Sequence, residues 1–419
     1  MIGEIITIGD ELTSGRILNT NSWFAAGHLF SAGHEIGAMA TIGDTPAEIG
    51  RALNRALDRA DFVIVIGGLG PTTDDLTNEA VAAALNRPTT FHPEILEKIQ
   101  SRHTETNESH TLSLEKMAWL PEGAEVLKPE AMMAGYLLIH GGKPIFFLPG
   151  VPYQMQELMA DRVIPRLARW TSGQVRHVIQ RVFKVFGLQE TEINQKLLHL
   201  EKNDPRLRIG YYPVFPDVHV SLTVFDGSSE AAEQKFAAAS AEIQALLADY
   251  IYGADDESMA AAVGQLLATH SKTMAVAESC TGGLIAHKIT SVAGSSDYFT
   301  GGVVAYSNRL KELYLGVTGE LLTEFGAVSP QVAGAMADGI RQRTASDIGI
   351  GVTGIAGPTG GSREKPVGTV YFGLASDNGQ KTFHFHFSGN RRQIQEISAQ
   401  TGLDLIRRLL LDKIMKERV

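Results

Sequence analysis

"DFVIVIGGLGPTTDD", residues 61–75, decides the architecture of the first third of the chain. Five apolar residues with no polar alternation read as a strand buried on both faces, as in a parallel sheet covered by helices. The glycines, proline and threonines after it close the strand, and "TTDDLTNEAV" opens a helix with acids in its first turn. The same strand–helix alternation runs outward in both directions. "EIITIG" (4–9) and "EIGAMATIG" (35–43) are strands. "NSWFAAGHLFSAG" and "PAEIGRALNRALDRA" are helices, the second with proline in its first turn. "KPIFFLPGVP" is a further buried strand, followed by the helix "YQMQELMADRVIPRLARW". Residues 1–170 are therefore expected to form a three-layer, doubly wound parallel α/β domain.

In such sheets ligands bind at the carboxyl ends of the strands. Asp10, in "GDELTSG", and Asp74 and Asp75, in "GGLGPTTDD", fall there, with "LPGVP" (148–152) at the same edge. Gly9, Gly67, Gly68, Gly70, Thr72, Thr73, Pro149 and Gly150 form a candidate phosphate cradle, because glycines let backbone N–H groups come close to a phosphate. Asp10, Asp74 and Asp75 supply hard oxygen ligands for a divalent metal. The alternative for the same acids is helix capping, and for "LPGVP" a rigid turn.

A polar break, "TSGQ" (171–174), precedes a second pattern: strand "VIQRVFKVFG", helix "QETEINQKLLHLEK", hairpin "RIGYYPVFPDVHVSLTVFDG" and helix "SSEAAEQKFAAASAEIQALLADY". This small α+β module occupies 175–253. Its aromatics Phe183, Phe186, Tyr211, Tyr212 and Phe215 read as core rather than as a base-stacking surface. Residues 256–419 alternate again through "TMAVAES", "GGVVAYSN", "DIGIGVTGIAGPTGG" and "GTVYFGLAS" to a long closing helix. The histidines of "HFHF" (384–387) face one side of a strand, and His92, His103 and His110 have no ligand spacing.

Composition narrows the function. The net charge of −10 argues against a broad nucleic-acid surface. No run of about 18 apolar residues spans a membrane. The single cysteine, Cys280, makes no intrachain disulfide, and a cytoplasmic location is expected. Cys280 sits in "AESCTGG" (277–283) with no neighbouring base or cation in sequence to form its thiolate, so it reads as a small buried residue. A different kit lies downstream. Ser295 and Ser296 offer hydroxyls, and Tyr306 and Lys311 flank a strand-to-helix junction. A serine beside a partly desolvated lysine is a nucleophile–base pair for acyl transfer. The competing reading is a capped turn and a solvated lysine.

"GDELTSG", "GGLGPTTDD" and "LPGVP" resemble the molybdopterin-binding (MoCF) domain of the competence/damage-inducible CinA family. The middle module resembles that family's KH-like domain, although none of its glycines forms the GXXG loop that clamps nucleic-acid backbones. "TMAVAESCTGGLIAHKIT", "AGSSDYFTGGVVAYSNRLKELYLGV", "GAVSPQVA" and "GIAGPTGGSREKPVGTVYFGLA" resemble the CinA C-terminal domain, which also occurs alone as nicotinamide mononucleotide (NMN) deamidase. The resemblance implies two activities: metal-dependent ADP-ribose pyrophosphatase at the N-terminal site, and cofactor-free NMN deamidation at the C-terminal one. It implies Ser296 as nucleophile, with Ser295 and Ser279 as alternatives, and Tyr306 and Lys311 as activating partners. Ser279, Thr281, Gly282, Gly283, Thr353, Gly354 and Arg391 would bind NMN, Arg391 at the 5′-phosphate. It also implies a homodimer. A competence- or damage-linked regulatory protein with a recombinase-type partner is the alternative function; direct nucleic-acid contact is not expected.

Overall fold

The structure, a computed structural model, describes residues 1–102, 114–129, 135–170 and 177–413. The break at 171–174, His103, His110 and the end of the closing helix lie outside the described residues. The chain folds as two units, Met1–Gln180 with Val224–Phe236, and Arg181–Thr223 with Ala237–Val419.

The strands of the first unit are β1 (Ile2–Ile8), β2 (Glu35–Ile42), β3 (Phe62–Ile66), β4 (Thr89–Phe91), β5 (Trp119–Pro121), β6 (Glu125–Val126), β7 (Tyr136–His140) and β8 (Lys143–Leu148). Six make one sheet in the order β2-β1-β3-β8-β7-β6, and β4 and β5 form a separate ribbon. β3 is buried throughout, as its apolar run requires. β1, β2, β3 and β8 are parallel, but β7 and β6 add antiparallel strands, so the sheet is mixed rather than wholly parallel. The cause is "HGGK": Gly141 and Gly142 take φ of 57° and 78°, and this two-residue turn joins β7 to β8 as a hairpin. The helix expected over 153–170 is interrupted. Pro152–Leu158 and Ile164–Trp170 flank a π-turn at Met159–Val163, because Pro165 lacks the N–H that would continue the ladder.

In the second unit the four-stranded sheet has the order β10-β11-β9-β12, from β9 (His177–Val185), β10 (Leu207–Val214), β11 (Asp217–Asp226) and β12 (Ile251–Ala254). β12, a four-residue strand beside β9, is an element that the sequence pattern of the module does not show. The middle module does not stand apart from the C-terminal domain. Phe186 and Tyr252 join the core of that domain, beside Val263 and Met274. Asp217 accepts from Tyr252 Oη at 2.8 Å and from Gln400 Nε2 at 2.9 Å. Of the module's aromatics, Phe183 and Phe186 are core, whereas Tyr212 and Phe215 are exposed on the hairpin, against the all-core expectation.

The third sheet runs β14-β13-β15-β16-β17, from β13 (Met274–Glu278), β14 (Phe299–Val304), β15 (Ile348–Gly354), β16 (Thr369–Ser376) and β17 (Gly379–His386). β14, β13 and β15 are parallel; β16 and β17 are antiparallel additions. The chain leaves β13 first to one side and later returns to the other. The carboxyl end of β13 is thus the switch point at which an open α/β sheet forms its ligand crevice. The carboxyl end of β1, between β2 and β3, is the equivalent point of the first unit. Among the described residues, no helix is long and apolar enough to cross a membrane.

Candidate active site

The register places Glu278 of β13 level with Val304 and Val352. Pairing continues one residue further: Ala305 N–H donates to Glu278 O at 2.8 Å, and Ser279 N–H donates to Val352 O at 3.0 Å. Ser279 is therefore clamped between its neighbours at the switch point. The chain beyond it is held from below. The buried Glu278 carboxylate accepts from the amides of Gly283 (3.0 Å), Ile285 (3.1 Å) and Ala286 (2.8 Å). That carboxylate satisfies the orphan donors that begin the helix Leu284–Thr290. The turn requires glycine at 283, where φ is 97°.

Lys311 comes to the same point from the helix Asn308–Leu315, capped by Ser307. It is only 1 % exposed. Its Nζ lies 3.1 Å from Ser279 Oγ, 2.7 Å from Ala305 O and 3.4 Å from Tyr306 O. No carboxylate pairs with it among the described residues. Burial lowers its pKa below the ordinary lysine value, opposed only by the nearby Cys280 sulfur. The geometry suits a neutral amine. Two N–H groups meet two carbonyls, and the lone pair is left for the serine hydroxyl.

The structure separates Ser296 from this pair. Ser295–Asp297 is a single 3₁₀ turn ahead of β14, and Met274 N–H, at the start of β13, donates to Tyr298 O. Ser295 and Ser296 therefore sit at the amino edge of the sheet, whereas Ser279 and Lys311 sit at the carboxyl edge. A six-residue strand lies between, roughly 20 Å of rise. Lys311 makes no hydrogen bond to either serine.

Tyr306 and Arg391 are brought together at the rim. Arg391 Nη2 donates to Tyr306 Oη at 3.1 Å and its Nη1 to Gly357 O at 2.8 Å. Thr353, level with Ser279, is buried and donates its hydroxyl to Ala327 O at 2.7 Å, and Gly354 comes next. The glycine amides are not free donors: Gly282 N–H goes to Ser279 O and Gly283 N–H to Glu278. The amides of Cys280 and Thr281 have no oxygen acceptor among the described residues and rest against the Cys280 sulfur. Gln395 Nε2 ties the loop to the closing helix through Cys280 O at 3.0 Å.

Cys280 is buried, and burial pushes its thiol up to about 12, with Glu278 adding to the rise. A thiol so held is almost wholly protonated at neutral pH. Cys280→Ser is expected to keep most of the turnover at this site, and iodoacetamide to modify Cys280 far more slowly than free thiol. Loss of turnover in the serine variant contradicts this account.

The N-terminal cluster differs from its sequence reading in two residues. Gly9 N–H donates to Ile42 O at 3.0 Å, and Asp10 begins a one-turn helix. Asp10 N–H donates to Asp44 Oδ2 at 2.8 Å and Asp44 N–H to Asp10 Oδ1 at 3.3 Å. Asp44 is the residue that sequence reading missed. The signal was there: "TIGD" occurs at 7–10 and again at 41–44, and β1 and β2 pair Thr7 with Thr41 and Ile8 with Ile42. Burial raises the Asp44 pKa; the hydrogen bond from the Asp10 amide opposes the rise, and the charges of Asp10, Glu11 and Asp74 add to it. Asp75 instead closes its own loop, accepting from the Thr72 amide and hydroxyl. Asp74 is held low by the Thr72 side chain. Gly67 has φ of 108°, and a Cβ there would stand 2.4 Å from Ile8 O, so the loop presses on the end of β1. Gly68 and Gly70 lie beyond it, with Thr72 and Thr73 exposed, and Gly150, after Pro149, accepts from Asn21 Nδ2 at 2.7 Å. The donor set is hard oxygen. Yet among the described residues no three His, Cys, Asp or Glu side chains converge as a metal site. Asp10, Asp74 and Asp75 as placed do not fit a complete divalent-metal site. His384 and His386 are exposed, and His384 stacks on Tyr371.

Two mixed α/β domains, each with a switch-point crevice, and a small α+β module between them in the chain define a multidomain protein of a recognisable class. Residues 4–169 match the probable molybdopterin binding domain, 180–253 the damage-inducible protein CinA KH domain, and 256–410 the CinA C-terminal domain. A CinA-like protein of Desulfotalea psychrophila is 52 % identical over 411 residues, covering 98 % of this chain and 99 % of its own. A CinA-like protein of Syntrophobacter fumaroxidans is 40 % identical over 411 residues, covering 98 % and 96 %. The crystal structure of the competence/damage inducible protein CihA from Agrobacterium tumefaciens is 40 % identical over 35 % of this chain and 91 % of that one, with a TM-score of 0.34. The chain belongs to the competence/damage-inducible CinA family, with its three-domain layout.

Proposed function

We propose that the C-terminal domain is an amidohydrolase in which Ser279 is the nucleophile and Lys311 its base, acting on the ring carboxamide of NMN. The observation that carries this reading is the 3.1 Å contact between a buried, carbonyl-held lysine amine and Ser279 at the switch point of the sheet. Neutral Lys311 takes the Ser279 proton as Oγ attacks the carboxamide carbon. The oxyanion that forms is held by the amides of Cys280 and Thr281, the two N–H groups directly after the nucleophile, which lack an oxygen partner. The Lys311 ammonium returns its proton to the amide nitrogen, the C–N bond breaks and ammonia leaves. Water, deprotonated by Lys311, then cleaves the Ser279 ester to release nicotinate mononucleotide and restore the serine. Tyr306 and Arg391 at the rim orient the nucleotide. None of these steps uses a metal. The experiment is turnover of NMN by the full chain without metal, read as ammonia and nicotinate mononucleotide. Absence of both products overturns the proposal.

The N-terminal domain supports a second reading, hydrolysis of the pyrophosphate of ADP-ribose, which the family resemblance implies; the carboxylates as placed do not by themselves complete a metal site, so no metal role is assigned to them. The Asp10–Asp44 pair and the glycine loop 67–70 at the β1 switch point favour it. Asp10→Asn is expected to abolish release of AMP and ribose 5-phosphate from ADP-ribose, measured with Mg²⁺ or Mn²⁺, while NMN turnover persists. Equal loss of both activities contradicts independent sites.

A further inference from the structure

The turn that carries the oxyanion amides is closed by Gly282 N–H on Ser279 O at 3.2 Å, which makes Cys280–Thr281 its middle peptide. The plane of that peptide is the degree of freedom that distinguishes the common turn types, and the closing bond does not fix it. The neighbouring peptides are held locally. Glu278 O and the Ser279 amide pair with the adjacent strands, Thr281 O accepts from the Leu284 amide at 3.3 Å, and the Gly283 amide goes to the Glu278 carboxylate. The Cys280–Thr281 peptide is tied differently. Apart from the Cys280 sulfur, its one hydrogen-bond partner among the described residues is Gln395 Nε2, which donates to Cys280 O at 3.0 Å from 115 positions further along the chain.

Gln395 stands on a firm base. Asn390 and Gln393 cap its helix reciprocally, at 3.0 and 2.9 Å. Ile394 belongs to the same buried core as Cys280 and Ile285, and Glu396 pairs with Lys288 of the helix Leu284–Thr290 at 3.0 Å. A carbonyl oxygen only accepts, so Gln395 meets the loop with its NH2 group.

We infer, resting on the amidohydrolase reading of Ser279 and Lys311, that Gln395 is a positioning residue for the deamidation: by holding Cys280 O it aims the Thr281 N–H at the oxyanion. The Cys280–Thr281 peptide is trans, and in a trans peptide C=O and N–H point in opposite directions. A carbonyl drawn toward the closing helix therefore turns the Thr281 N–H away from that helix. The bond from Gly282 to Ser279 O sets the Cys280 N–H by the same rule. Gln395 touches no reacting atom. It preorganises a donor whose value is realised only as charge develops on the carboxamide oxygen.

The test is steady-state NMN deamidation by the full chain carrying Gln395→Met, which keeps the reach of the side chain and removes its donor. kcat is expected to fall about ten- to a hundredfold with KM little changed, as for a misaligned oxyanion donor. Gln395→Arg, which keeps N–H donors, is expected to recover part of the loss, and Gln395→Glu, whose carboxylate offers none, to recover nothing. The analogue of NMN with an aldehyde in place of the carboxamide gives a second readout. Ser279 Oγ adds to its carbonyl carbon, the π pair passes to the carbonyl oxygen as an oxyanion, and the serine proton goes to Lys311, so its affinity reports on the same donors. Gln395→Met is expected to weaken the aldehyde by the factor lost in kcat. Unchanged kcat and aldehyde affinity in Gln395→Met, a loss confined to KM, or a Gln395→Arg protein no better than Gln395→Glu overturns the positioning role. Failure of the wild-type chain to release ammonia is the separate failure of the amidohydrolase reading.

Discussion

Ser279→Ala is expected to abolish NMN turnover, a loss on the order of 10⁴-fold or more, while Ser296→Ala retains it. The contrast arises from topology rather than from residue type. Both serines lie in glycine-rich loops next to β13 or β14, and both precede Lys311 in the chain. Only Ser279 leaves the sheet at the edge to which the lysine comes. A six-residue strand separates Ser296 from that edge, and no rotamer of a serine side chain spans it. Steady-state ammonia release by the two variants reads the difference directly. An inactive Ser296→Ala together with an active Ser279→Ala would reverse the assignment.

Lys311→Met is expected to lower kcat by about 10²- to 10⁴-fold, the usual contribution of a positioned general base. The pH dependence carries a sign. Burial lowers the Lys311 pKa, so the neutral form that accepts the serine proton is populated at a lower pH than for a solvated lysine. Wild-type kcat is therefore expected to rise with pH and to level off below the range in which free lysine titrates. The same shift bears on stability. Between the folded and unfolded pKa values the unfolded chain binds more protons at this lysine. The folded state therefore gains stability from this group as pH rises through that window, and is penalised below it. A kcat profile flat across the acid limb, or one whose inflection survives in Lys311→Met, contradicts the base assignment.

Much of the fold was legible because it derives from strand burial. The unbroken "FVIVI" and the alternating helices mark the doubly wound core of the first unit, and "TMAVAES" marks β13, the switch-point strand of the third sheet. Short-range chemistry was legible too. Cys280 was read as buried and inert from its neighbours, and the structure adds the desolvation that protonates it. What the sequence left open depended on long-range pairing. "HGGK" turns β8 back on β7, and Ile251–Ala254 joins β9 across more than sixty residues; neither has a distinctive apolar period. The nucleophile was ambiguous for the same reason. Ser279 and Lys311 are 32 positions apart, and only the parallel register of β13 with β14 shows that their loops share an edge. Asp44 was recoverable in principle from the repeated "TIGD", since parallel neighbours in register place identical loop residues side by side. The contact of Asp75 with Thr72 is not legible in sequence, because it depends on how a single loop closes.

The most direct test of the central claim is peptide mass mapping of the full-length protein quenched during NMN turnover. The account predicts a nicotinoyl-ribotide ester on the peptide that contains Ser279, absent from the Ser279→Ala protein and accumulating as ammonia is released. An ester on the peptide that contains Ser296, or ammonia release with Ser279 never modified, would contradict it.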